Sequence, residues 1–308
     1  MKKDSRIYVA GHSGMVGSAI VRMLKKQNFN NLILKTHNVL DLSKEDATEK
    51  FFKDYNPEYV INAAGKVGGI NPNIKYPVEF LTENFLIYSN LLRFSNKFNV
   101  SKVIMIGSSC MYPRSAKYPF LENSILSGNP EPSNEGFALA KIAGMKLSQY
   151  YTKQYGLKTL NLIPCNLYGT NDHYDLENSH VLSALVKRFV DAAKLESDSV
   201  CLWGSGIPRR EFMHVDDFAA SVLFLINNWK SSEFINVGIG KDISIKELAS
   251  IIINETQFSG KVLWDTTKPD GMLKKRIDIS KLENLGFKGK ISLTDGIKKT
   301  INEYINLK

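Results

Sequence analysis

A chain of 308 residues with 43% apolar side chains has room for one large α/β unit or two modest domains. No stretch is of low complexity, and the longest apolar runs, 103–107 and 160–164, fall far short of the roughly 18 residues of a membrane helix. The net charge of +9 is spread along the chain, which argues against nucleic acid and leaves a solvated basic surface or attraction of an anion such as a nucleotide diphosphate.

In chain order, Met1-Lys2-Lys3-Asp4-Ser5 runs directly into a strand and carries no signal-peptide pattern, so a cytoplasmic protein is expected. Cys110, Cys165 and Cys201 are an odd set without CxxC spacing; a disulfide framework or metal site is not expected, and a reducing compartment fits. Residues 6–10, 31–35, 59–62, 102–107 and 159–164 read as strands apolar on both faces. Helical patterns lie between them at 15–27, 44–55, 80–98 and 138–154, the second opened by a capping signal from Ser43 and Asp46. Such alternation predicts a doubly wound parallel sheet. Beyond Pro164 the pattern loosens into loops at 166–178 and 204–210, then resumes with helices at 216–228, 244–255 and 292–304 and a strand at 234–237. The expected fold class is α/β, a Rossmann-type domain over 1–165, completed by about 211–236. A smaller, partly interleaved α/β substrate domain is expected from 166–210 and 237–308.

The first strand leads through Gly11-His12-Ser13-Gly14-Met15-Val16-Gly17 into the first helix. Glycines there permit a tight turn and a close approach of backbone to a pyrophosphate lying at the helix N-terminus. The spacing is GxxGxxG, distinct from the GxGxxG of the standard dinucleotide fingerprint. The second strand ends in Lys35-Thr36-His37-Asn38, with no acid to grip an NAD ribose; lysine and histidine suit a 2′-phosphate, so NADP(H) is favoured, although Asp41 is near.

Longer stretches carry a resemblance. Val9–Ala19 as read above, Ala63-Ala64-Gly65-Lys66-Val67-Gly68-Gly69-Ile70 and Ile106-Gly107-Ser108-Ser109-Cys110-Met111-Tyr112-Pro113 are the first of them. Ala138-Leu139-Ala140-Lys141-Ile142-Ala143-Gly144, Asn166-Leu167-Tyr168-Gly169 and Asn178-Ser179-His180-Val181 continue the set. Trp203-Gly204-Ser205-Gly206, Arg210-Glu211-Phe212-Met213-His214-Val215-Asp216-Asp217 and Lys268-Pro269-Asp270-Gly271 complete it. Over essentially its whole length the chain resembles the GDP-L-fucose synthase family, extended short-chain dehydrogenases that epimerise a GDP-4-keto-6-deoxy sugar at C3 and C5 and reduce it at C4. Relatives acting on heptoses would look similar.

The resemblance implies Cys110 as the base and His180 as the acid of epimerisation, residue types that titrate near neutrality. It implies a Ser-Tyr-Lys constellation for reduction, in which Ser108 and Lys141 match and Phe137 stands where the tyrosine is expected. Three readings are open at 137: a Tyr→Phe variant made to trap ligand complexes, a natural enzyme with lost or weakened reduction, or proton donation by another group, with Tyr112 nearby. Cofactor contacts are expected from residues 11–17, Lys35, His37, Asp41, Leu42, Ala63, Ala64, Lys66, Lys141, Pro164, Asn166, Leu167 and His180, and substrate contacts from Arg188, Trp203, Arg210 and Asp270. Trp203 also reads as a core aromatic beside a strand at 200–202, and Lys274-Lys275-Arg276 as a solvated basic loop. The substrate is expected to be a GDP-linked 4-keto-6-deoxy sugar, with no metal, no nucleic acid and no membrane. A homodimer through helices 80–98 and 138–154 is implied. Alternatives are an epimerase-only relative, a sugar-nucleotide 4-epimerase or dehydratase, and a non-catalytic NADP-sensing protein.

Overall fold

The computed structural model describes residues 1–175, 179–268 and 270–307; the motif positions Asn178 and Pro269 lie outside them. The chain runs β1 (Ile7–Ala10), α1 (Met15–Lys26), β2 (Leu32–Ile33), α2 (Glu45–Tyr55), β3 (Tyr59–Asn62), α3 (Ile70–Lys75), α4 (Pro77–Lys97) and β4 (Lys102–Ile106). It continues with α5 (Glu135–Tyr155), β5 (Thr159–Pro164), β6 (Asn166–Tyr168), α6 (Val181–Lys194), β7 (Ser199–Trp203), β8 (Arg209–Arg210), β9 (Phe212–His214) and α7 (Val215–Asn228). Last come β10 (Phe234–Val237), β11 (Ile243–Ser244), α8 (Ile245–Thr256), β12 (Lys261–Asp265), β13 (Lys274–Lys275), α9 (Ser280–Asn284) and α10 (Leu293–Asn306).

Six strands form one parallel sheet in the order β10-β5-β4-β3-β1-β2. β1, β5 and β10 are buried at every residue, as two-sided apolar strands covered by helices must be. α2, α4 and α5 pack into one helical layer, and α1 packs on α7. This is the doubly wound Rossmann architecture that the strand–helix alternation predicts. The strand order reverses at β1 and β3, so their carboxyl ends open the crevice where such sheets take ligands.

Two local expectations are corrected. β2 spans two residues in place of the predicted five, because it is an edge strand that pairs only with Ile7 and Tyr8 of β1. Ser43 does not cap α2: its N–H and hydroxyl both donate to Asp41 Oδ1, at 2.9 and 2.7 Å, and the N-cap falls on Lys44 without a side-chain bond. α8, by contrast, begins with a full capping box of Ser244 and Glu247.

Apolar side chains gather into two clusters. The larger joins β1, β3, β4 and β5 to α7, β10 and the side chains of Ile277, Ile279 and Leu282. The smaller holds Tyr168, the inner face of α6, Val200, Leu202, Phe212, and apolar residues of α8 and α10. Ser108 and Cys110 after β4, Arg210 of β8, Lys275 of β13 and His180 at the start of α6 come close together.

Candidate active site

At the β1–α1 turn, Gly11 has φ +73° and a Cβ there would lie 2.6 Å from Ala63 O, so the carboxyl ends of β1 and β3 meet backbone to backbone. A Cβ on Gly17 would lie 2.0 Å from Gly11 O, which brings α1 hard against the loop. Gly14 is the N-cap of α1, whose first turn holds no acid and whose N-cap makes no side-chain bond. An uncapped helix N-terminus presents free N–H groups and positive dipole to an anion. The buried Nδ1 of His12 in the same loop has no hydrogen-bond partner among the described residues. These features fit a dinucleotide pyrophosphate. Met15 and Val16 pack beneath it against the larger core.

Around the expected ribose site, Asp41 is half-buried and His37 exposed. Partial burial pushes the Asp41 carboxyl up, but the two bonds from Ser43 and the charges of His37 and Lys44 outweigh it and hold the group below its ordinary range. Lys35 turns onto α2, its Nζ donating to Tyr55 Oη at 2.5 Å and lying 4.3 Å from that ring. Lys66 likewise pairs with Glu83 at 2.8 Å, while its N–H donates to Asn84 Oδ1. Leu42 and Pro164 are buried; Ala63, Ala64 and Leu167 are half-buried. Ala64 N–H donates to Asn62 Oδ1, and Asn166 Nδ2 donates to Glu211 O.

The catalytic candidates meet at the end of β4. Ser108 Oγ accepts from Cys110 N–H at 3.2 Å and so starts the short 3₁₀ turn Ser109–Met111 that carries the thiol. Two donors reach the sulfur, Lys275 Nζ and Asn134 Nδ2, each at 3.3 Å. Burial raises the Cys110 pKa, but Lys275, Ser108 and His180 together bring it below the ordinary thiol value. β13 lies parallel to β8 with Lys275 opposite Arg210, which sets two cations beside the thiol. Lys275 is therefore strand-borne and committed to Cys110, correcting the expectation of a solvated loop. Arg276 is held too, over the Tyr118 ring at 4.8 Å and donating to Gly240 O.

His180 is the N-cap of α6 and is half-exposed to the cleft, with Nδ1 3.5 Å from Asp172 Oδ1. Asp172 raises its pKa, working against desolvation, with a smaller contribution from Cys110. Lys141 Nζ donates to Tyr88 Oη at 3.1 Å and Ile106 O at 3.2 Å, and burial lowers its pKa to about 8. The Phe137 ring lies 5.4 Å from that ammonium and edge-on to Phe80. It brings no polar atom. Tyr112 does not replace it: the ring is buried, and its hydroxyl donates to Asn236 Oδ1 at 2.6 Å on the core side.

The expected substrate residues are divided. Arg210 borders Cys110, its Nη1 donating to Arg209 O. Arg209 itself is spent on Asp242 and Glu247. Trp203 is 61% exposed at the end of β7, which removes the core-aromatic alternative. Asp270 accepts from Ser205 N–H and Oγ–H, both at 2.7 Å, and so pins the turn after Trp203. Arg188 is half-buried on α6, with no carboxylate in salt-bridge range among the described residues. Sequence reasoning missed Asn134, Asp172 and Lys275. Of these, only Lys275 left a signal, as part of a basic triplet. The described residues contain no group of side chains placed to hold a metal.

A profile of the NAD dependent epimerase/dehydratase family matches residues 7–238. "Putative GDP-L-fucose synthase 2" of Arabidopsis thaliana is 47% identical over 305 residues, 99% of this chain and 93% of its own. "GDP-L-fucose synthase" of Escherichia coli is 41% identical over 309 residues, 97% of this chain and 96% of its own. Among solved structures, a GDP-6-OMe-4-keto-L-xylo-heptose reductase from C. jejuni superposes with a TM-score of 0.93 at 36% identity, covering 100% of this chain and 99% of that one. A GDP-mannoheptose C4 reductase from Campylobacter jejuni with NADP bound gives 0.92 at 37% identity, over 99% of each chain. With the glycine turn, the Cys110–Lys275–His180 cleft and these likenesses in place, the chain belongs to the NAD dependent epimerase/dehydratase family and, within it, to the GDP-L-fucose synthase family.

Proposed function

We propose that this chain is an NADP(H)-dependent enzyme that epimerises a GDP-linked 4-keto-6-deoxy sugar at C3 and C5, with a slow reductive step at C4. The observation that carries the proposal is geometric: Lys275 Nζ donates to Cys110 Sγ at 3.3 Å and Asp172 Oδ1 lies 3.5 Å from His180 Nδ1, contacts that favour the thiolate and the protonated imidazole. These are opposite perturbations suited to a base and an acid.

A 4-ketone acidifies the protons on C3 and C5. The Cys110 thiolate removes one of them, and His180 returns a proton from the other side of the ring, which inverts the centre. Lys275 and Arg210 stabilise negative charge developing beside the thiol, and Ser108 Oγ–H is free to donate to the C4 oxygen. Arg188 suits the substrate pyrophosphate, and exposed Trp203 offers a face to the base, on a turn held by Asp270.

The residues of the glycine turn, 11–17, with Ala63, Ala64, Asn166 and Leu167, form the cofactor's bed, and Lys141 faces its ribose. Lys35 and His37 would meet a 2′-phosphate once Lys35 leaves Tyr55. NADPH, when bound, supplies the hydride for C4 reduction. Phe137 has no proton to give the resulting alkoxide. That same absence favours a second reading, an epimerase that releases its keto product.

We place the enzyme in the cytoplasm as a homodimer. Among the described residues, no helix is long and apolar enough to cross a membrane. Leu81, Phe85 and Leu86 of α4 and Leu139 and Tyr150 of α5 are exposed apolar side chains that a second copy would cover. We also take the two apolar clusters as the cores of a cofactor domain and a substrate domain, with Ile277, Ile279 and Leu282 crossing from the expected substrate segment into the larger core and Phe212 crossing into the smaller.

The test is proton exchange by mass spectrometry with a GDP-4-keto-6-deoxy sugar in deuterated water. The chain should incorporate deuterium without consuming cofactor, and Cys110→Ser should abolish incorporation. Undiminished exchange in that variant would remove Cys110 from the base role.

A further inference from the structure

We propose that Asp172 is a positioning residue for His180, fixing the proton on Nδ1 so that Nε2 alone exchanges protons with the substrate. This rests on the assignment of His180 as the acid.

The argument begins with the surroundings of one carboxylate. The Asp172 side chain is 2% exposed. His173 N–H donates to its Oδ1 at 2.8 Å, and Ser183 Oγ donates to its Oδ2. His180 Nδ1 lies 3.5 Å from the same Oδ1. With His173 N–H and Ser183 Oγ–H already donating, an ionised carboxylate has only acceptor capacity left to offer the histidine. A neutral imidazole facing it gains only by carrying its hydrogen on Nδ1, which leaves the Nε2 lone pair toward the cleft.

Charge points the same way. A buried carboxylate needs a compensating cation. Among the described residues, His180 is the one cationic group within salt-bridge distance of Asp172. The other charged groups facing His180 are Cys110 and Lys275, on the cleft side. Lys275 opposes protonation, so Asp172 and the thiol must outweigh it to keep His180 an acid.

The carboxylate is also held in place from the cofactor side. Asn171, in the left-handed region at φ +70°, donates from Nδ2 to Ser13 O in the glycine turn at 2.6 Å. Its N–H donates to Glu303 Oε1 of α10, also at 2.6 Å. The segment carrying Asp172 is thus pinned between the first helix turn and the last helix. His180 inherits its aim from both.

The experiment uses the full chain labelled with ¹⁵N-histidine, with the His180 signals identified by their loss in His180→Asn. In the unsubstituted protein, neutral His180 should be the Nδ1–H tautomer; an Nε2–H tautomer would overturn the proposal. Asp172→Asn removes the negative charge that faces Nδ1 while keeping the shape of the side chain. It should lower inversion-linked deuterium uptake at least tenfold, a fraction of the roughly 10²–10⁴-fold a positioned acid supplies. It should also move the His180 limb of the pH profile to lower pH. Unchanged uptake and an unchanged profile would refute the positioning role. Normal inversion by His180→Asn would instead remove His180 as the acid, a separate failure.

Discussion

The sulfur of Cys110 receives an ammonium and an amide N–H from parts of the chain 165 and 24 residues away. Lys275→Met should therefore raise the midpoint of Cys110 alkylation by about one pH unit or more, the low end of what an adjacent charge does. The sign follows from the direction: the thiolate forms as pH rises through a lowered pKa, and removing the cation lifts that pKa. Peptide mapping separates Cys110 from exposed Cys201 and buried Cys165; coincident profiles for the two proteins would refute the coupling. Cys110 and His180 were legible because they sit in recognisable strings, and Phe137 because it breaks one. Lys275, Asn134 and Asp172 were not, since each acts through a contact that sequence neighbours do not announce.

Among the elements, Glu211 shows how the short strands are held. It is fully buried between β8 and β9, its Oε1 accepting from Ile239 and Gly240 N–H at 2.7 Å and its Oε2 from Ile277 N–H at 3.0 Å. It thereby ties the end of β10 to the strand pair bearing Arg210 and Lys275. Glu211→Ala leaves one buried and two part-buried N–H groups without their acceptor and should cost about 2 kcal/mol or more, at 1–3 kcal/mol for a fully buried group. Urea denaturation measures it; a loss below about 1 kcal/mol would mean that water or backbone shifts satisfy those groups. β1, β3, β4 and β5 were readable because two-sided burial writes continuous apolar runs, and β3 and β5 fall at the expected bounds. β8, β11 and β13 have two residues each and pair across the chain, leaving no period to read. The Ser43 signal failed because Asp41 competed for the same hydroxyl.

Over the whole molecule, Cys110 and His180, the pair proposed for epimerisation, lie close together, and position 137, where the resemblance expects a tyrosine, carries no hydroxyl. The basic charge of the chain suits an anionic sugar nucleotide, and Arg210 and Lys275 bring part of it to the cleft floor. Lys141 is anchored by Tyr88 and the end of β4 independently of Phe137, so cofactor binding should be retained while reductive turnover is slow.

The most direct measurement is NADPH oxidation at saturating GDP-4-keto-6-deoxy sugar, compared between this chain and Phe137→Tyr. A positioned general acid is worth about 10²–10⁴-fold, so the tyrosine should raise the rate by about a hundredfold or more while deuterium exchange at the sugar stays within a factor of about two. Equal oxidation rates in the two proteins would contradict the account, because another group would then be protonating the C4 oxygen.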